Sequence, residues 1–150
     1  MLNGHWTYRS YRNAAELVGD DQRSALALIG SEGIFELRQS DDGRIEGGLG
    51  MADGLALRIS GSIEQDAGFA LIGEGLEGTA TAGWRYDYRG IAGFMWPDAT
   101  DQVPSLVGTV VRVSAHGPDA PAGFVASFIA VRHADNPPPR TARPPSSLVR

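Results

Sequence analysis

T-A-T-A-G-W-R-Y-D-Y-R-G-I-A-G-F-M-W, from Thr79 to Trp96, alternates for most of its length. Successive side chains of a strand point to opposite faces, so Trp84, Tyr86 and Tyr88 share one side while Arg85, Asp87 and Arg89 share the other. One face is aromatic and the other ionic. Such a strand needs neighbours that cover its rings and leave its charges wet, and the flanking sequence supplies them.

Upstream, Gly4 to Arg12 (G-H-W-T-Y-R-S-Y-R) alternates Trp6, Tyr8 and Ser10 against His5, Thr7, Arg9 and Tyr11. Asn13-Ala14-Ala15-Glu16 has the form of a capping box, and Gly19 can close it, which predicts a short helical turn after the first strand. Residues 24 to 39 read as one bent strand broken at G-S-E-G, although the apolar part from Ser24 to Ile29 fits a helix as well. Turn chemistry then recurs at hairpin spacing, at Asp42-Gly43, Asp53-Gly54, Ala67-Gly68 and Glu77-Gly78. These turns delimit strands over residues 44–50, 55–63, 69–75 and the quoted stretch, which ends at Trp96-Pro97. Residues 105–115 and 122–132 complete the set around the turn His116-Gly117-Pro118-Asp119-Ala120-Pro121. Eight strands in sequential hairpin order predict an all-β chain, an eight-stranded antiparallel up-and-down β-barrel over residues 1–133. The Pro-rich C-terminal tail, 134–150, has no periodicity and is expected to be extended or disordered.

The last two strands are apolar on both faces: Val107, Val111 and Val113 lie opposite Leu106 and Val110, and Phe124 and Phe128 lie opposite Val125, Ile129 and Val131. A barrel's outer face is ordinarily polar, so Ser105 to Arg132 is the expected surface of a homo-oligomer, with coverage by the tail as the alternative. Composition narrows the partners further. The net charge is -5, and the tail carries three arginines against one aspartate, so the acidity lies in the barrel and argues against nucleic acid. There is no cysteine, and His5, His116 and His133 lack metal-ligand spacing, so neither a disulfide, a metal nor a cofactor is expected. The opening residues show no signal-peptide pattern and no run is long enough to span a membrane, which predicts a cytoplasmic location.

Asn3-Gly4-His5-Trp6 resembles the G-x-W signature that opens lipocalins, with Arg132 placed like the arginine that covers their tryptophan. Leu2 to Thr7 is similar to the first strand of avidins, and Gly78-Thr79-Ala80-Thr81-Ala82-Gly83-Trp84 to the avidin stretch whose tryptophan lines the ligand pocket. Both families are calycin-type barrels, so the resemblance implies that architecture, a small-molecule lumen, and assembly through the last strands. Arg9-Ser10-Tyr11-Arg12 departs from the avidin N-x-x-G-S pattern, and the last strands lack the acid and tryptophans of the biotin pocket. The resemblance therefore does not extend to biotin.

With Trp6 inward, Tyr8 and Ser10 point inward too, and Trp84, Tyr86 and Tyr88 join them. Flat rings with hydroxyl tips suit a planar, mostly apolar ligand with one or two polar atoms. The alternative is that the rings fill a solid core, as Trp6 is expected to do at the closed end. Arg58 and Arg112 lie on otherwise dry strands and are candidates for an inward anion anchor. Glu32, Glu36, Glu74 and Asp87 are possible general acids. Three functions follow: a barrel binding a small molecule, a cyclase- or isomerase-type enzyme with Tyr86 or Tyr88 donating a proton, and a filled-core interaction module.

Overall fold

The computed structural model describes residues 1–16 and 20–133. The expected tail lies outside the described residues. Eight strands follow one another around a closed antiparallel barrel: β1 (Gly4–Arg12), β2 (Ile29–Gln39), β3 (Arg44–Met51), β4 (Ala56–Ile63), β5 (Phe69–Gly75), β6 (Arg85–Ala92), β7 (Ser105–Arg112) and β8 (Val125–Arg132). Closure is made by β1 against β8, with Trp6 opposite Arg132 and Arg12 opposite Ala126. Every strand thus has two partners, and no edge is left to recruit another chain.

The two-residue period sorts the wall. Trp6, Tyr8, Phe35, Leu37, Ile45, Leu49, Leu57, Ile59, Leu71, Tyr88, Leu106 and Phe128 are buried inside. Outside, Arg9 meets Glu32 at 3.6 Å, Arg58 meets Glu74 at 3.6 Å and Arg85 meets Asp87 at 3.1 Å. Exposed pairs of this kind contribute about 0–1 kcal/mol each, so they mark a solvated wall more than they hold it together. The same pairs place Glu32, Glu74 and Asp87 away from the lumen, as does the 3.8 Å approach of Glu36 to His5. Arg58, one of the two candidate anchors, is likewise outward.

Three local expectations are corrected. The helical turn is not at Asn13: helix α1 (Gln22–Leu26) starts after Asp21, whose carboxylate accepts the Arg23 N–H and the Ser24 hydroxyl. Residues 24–28 consequently do not belong to β2, which begins at Ile29. The bend read at G-S-E-G is a β-bulge, since Ser10 pairs with Ser31 and Tyr11 with Ile29, leaving Gly30 extra. β6 ends at Ala92, four residues before Trp96, and Phe94 and Trp96 form an exposed edge-to-face pair with centroids 4.9 Å apart.

One end of the barrel is stoppered by the N-terminus. The Trp6 indole donates to the Leu2 carbonyl at 3.0 Å, and the Arg132 guanidinium lies 5.7 Å from the Trp6 ring centre. Gln39 ties this segment down, accepting from the Leu2 N–H at 2.9 Å and donating its own N–H to Asn3 at 2.6 Å. Trp6 is therefore a plug, as its place in the sequence implied. Outside β7 and β8, Val125 and Val131 are exposed and Val107, Val111 and Ile129 half-buried, so both faces are apolar, although β7 ends at Arg112 and β8 starts at Val125, which leaves Val113 and Phe124 in the connecting loop. Beside it, Ile91 pairs with Val107, which pairs with Ile129.

Candidate functional site

The lumen is divided by a floor of rings. Tyr8 packs on Phe35 at 4.9 Å, Tyr88 on Phe35 at 5.7 Å and Phe128 on Tyr88 at 5.8 Å between centroids, mostly edge to face. Below the floor the barrel is filled. Above it lies a cavity of about 260 Å³, walled by Leu49, Met51, Leu57, Val110 and Ala126. All five residues expected to face a ligand, Tyr8, Ser10, Trp84, Tyr86 and Tyr88, line this cavity. The barrel is hollow in one half and solid in the other.

Burial decides the state of the floor hydroxyls. Tyr8 is pushed up to about 12, chiefly because its phenolate would be desolvated. Tyr88, more deeply enclosed, is driven well above the ordinary tyrosine value for the same reason. Both stay protonated at neutral pH and offer O–H groups rather than charges. Alongside them Ser10 and Ser31 share a hydrogen bond of 2.9 Å where the Gly30 bulge turns the wall.

The mouth is built by two loops. Between β5 and β6, Thr81 is fully buried: its hydroxyl donates to the Ala56 carbonyl at 2.8 Å and accepts the Leu76 N–H at 3.1 Å. Its carbonyl accepts the Trp84 N–H at 2.9 Å, so this buried threonine sets where Trp84 stands. Between β7 and β8, a turn held by Ala120 N–H to the Gly117 carbonyl, 3.1 Å, brings His116 back over the opening. His116 stacks on Trp84 at 3.9 Å with the planes 14° apart. Tyr86 Oη lies 2.5 Å from His116 Nε2 and accepts from Arg112 Nε at 3.1 Å. Arg112 Nη1 also donates to the Pro121 carbonyl at 3.2 Å.

Compared with known families, curated proteins and solved structures, the chain matches none. The site must be read from its own chemistry. Arg112 was legible as a candidate because it sits on an otherwise dry strand, and in the fold it shares the inward face of Leu106 and Val110. His116 was not, since a turn residue has no period and its only sequence signal, metal-ligand spacing, was missing. Among the described residues lining the cavity there is no aspartate or glutamate, so the general-acid carboxylates considered from sequence do not reach it.

His116 also makes the fold respond to pH. Burial, reinforced by the Arg112 charge, lowers its value below the ordinary 6.5, so the folded chain resists protonation there more than the unfolded chain does. Its contribution to stability is therefore intact above about pH 6.5 and declines as pH falls below it. We expect the urea midpoint to drop between about pH 7.5 and 5.5, and His116→Gln to flatten that drop. An equal slope in both proteins would show that His116 is solvated as in the unfolded chain.

Proposed function

We propose that this protein binds a small, planar, largely apolar molecule in the open half of its barrel. The observation that carries the reading is the cavity of about 260 Å³ above the ring floor, apolar on its walls and polar at only a few points. At the packing density of protein interiors, about 0.75, it takes a guest of roughly 200 Å³, the scale of a two-ring compound. Trp84 at the mouth reports on occupancy. Titration with a library of two-ring aromatic compounds should quench emission saturably in the native chain and not in Trp84→Phe, whose remaining Trp6 and Trp96 lie away from the cavity. No saturable change with any compound would remove the reading.

A second reading, proton-transfer catalysis by a tyrosine, is favoured at Tyr86 rather than Tyr88. Tyr86 bonds to His116 and Arg112 at the mouth, whereas Tyr88 is enclosed in the floor, where burial drives it well above the ordinary tyrosine value. Turnover of a bound compound, lost in Tyr86→Phe, would establish it. We further propose that copies of the chain associate through the outer face of β7 and β8, supported by the exposure of Ile91, Val125 and Val131 there. Native mass measurement should then show a dimer or larger species; a monomer at micromolar concentration would overturn this. A cytoplasmic setting belongs to the same proposal. Among the described residues no helix is long and apolar enough to cross a membrane.

A further inference from the structure

Arg112 is the half-buried charge of the cavity lining. On the outer wall Arg9, Arg44, Arg58, Arg85 and Arg89 each meet a carboxylate within 3.7 Å. Arg112, half-buried at the mouth, has only neutral company: the Tyr86 hydroxyl, the Pro121 carbonyl, and the rings of Tyr86 and Phe124 at 5.8 and 5.3 Å. Among the described residues it makes no ion pair. Neutral acceptors satisfy N–H groups, but they do not cancel a charge drawn out of water.

The geometry also leaves part of the guanidinium available. Nε is engaged by Tyr86 and Nη1 by Pro121, while Nη2 makes no hydrogen bond to any described residue. These two contacts hold the group in place, so an arriving anion need not order it. Tyr86 contributes by being occupied. Its oxygen accepts from Arg112 Nε and also lies 2.5 Å from His116 Nε2, so the hydroxyl is already engaged on two sides and the guanidinium is left to meet an anion. Arg12 adds a second positive group on the lining, at the exposed end of β1.

We propose, resting on the lumen-binding reading above, that the ligand is an aromatic carboxylate whose carboxyl group docks on Arg112 while its rings lie against the apolar wall toward Tyr8 and Tyr88. A carboxylate matches in two ways. It is planar like the guanidinium, and its single negative charge is cancelled by one half-buried arginine.

The test uses 2-naphthoate and 2-naphthamide, alike in shape and different in charge, titrated calorimetrically into the full chain at neutral pH. The native protein should bind the acid more tightly than the amide by about tenfold or more. Arg112→Gln should erase that preference, read as the acid-to-amide ratio within the variant; Arg112→Lys, which keeps the charge without the fork, should retain part of it. Equal affinity for acid and amide in the native protein would overturn the anion site and leave the lumen reading standing. A preference that survives in Arg112→Gln would overturn the assignment to Arg112. Binding of neither compound would overturn this inference and leave the lumen reading to the fluorescence titration. Should Arg112→Gln not fold, the native and Arg112→Lys titrations decide alone, and a lysine variant that gains preference over the native chain counts against the fork.

Discussion

Phe35→Ala should lower the free energy of unfolding by about 3–5 kcal/mol, among the largest losses available to a single substitution here. Phe35 is 1% exposed and lies opposite Trp6 across β1 and β2. Its ring is gripped edge-on by Tyr8 and Tyr88 at 4.9 and 5.7 Å, and these three with Phe128 form the floor of the cavity. Removing it forfeits the transfer free energy of a large side chain and leaves a hole that a closed barrel cannot collapse around, because each strand is tied on both sides. Urea unfolding followed by circular dichroism measures the loss. A cost under about 1 kcal/mol would mean the floor is not packed as described. The tyrosine hydroxyls should also become easier to ionise as water reaches them, which an alkaline absorbance titration reads as a fall in the Tyr8 value from about 12.

Gly75→Ala is expected to be comparably damaging for a different reason. A Cβ on Gly75 would fall 1.5 Å from the Thr81 carbonyl oxygen and 2.5 Å from its carbon. Those are backbone atoms and cannot swing aside as a side-chain tip would. Relief requires moving the loop between β5 and β6, where Thr81 bridges Ala56 and Leu76 and where Gly75 N–H donates to the Trp84 carbonyl at 2.9 Å. Overpacking usually costs about 1–3 kcal/mol; displacing backbone and breaking buried hydrogen bonds together raises this to about 3 or more. Because Trp84 is carried by that loop, the variant should also lose the Trp84–His116 stack and with it any ligand-dependent quenching. Gly50→Ala is the matched control, since a Cβ there has no atom within 4 Å. It should shift the urea midpoint by little in either direction. Similar losses in the two variants would point to glycine flexibility rather than the clash at Thr81.

The two substitutions bracket what was readable before the fold was known. Phe35 and its companions fall on one side of their strands by simple alternation, and so do Tyr86 and Tyr88, while Trp84 stands one residue before β6 at the end of the loop. Gly75 carries no such mark, since its need arises from Thr81, which reaches it only after the loop folds back. The misplaced helical turn shows the same limit. Asn13 and Asp21 are both good caps, and local chemistry does not rank them; the start of β2 is instead set by Arg12 N–H donating to the Leu28 carbonyl at 2.7 Å. Likewise the quoted stretch alternates to Ala92 and then leaves the sheet, because pairing with β7 ends where Ala92 meets Leu106.

By itself the order of residues determined the eight strands, their inward and outward faces, the turns between most of them and the rings that meet inside, because a two-residue period and turn chemistry are properties of short segments. Only the tertiary structure decided that the barrel is filled at the Trp6 end and hollow at the other, since that depends on how side-chain volumes from all eight strands sum against a fixed diameter. It also decided the chemistry of the mouth. Tyr86 lies 26 residues before Arg112 and 30 before His116, and their spacing, like the lack of a carboxylate among the described residues beside Arg112, exists only once β6 pairs with β7 and the loop after β7 folds back over the mouth.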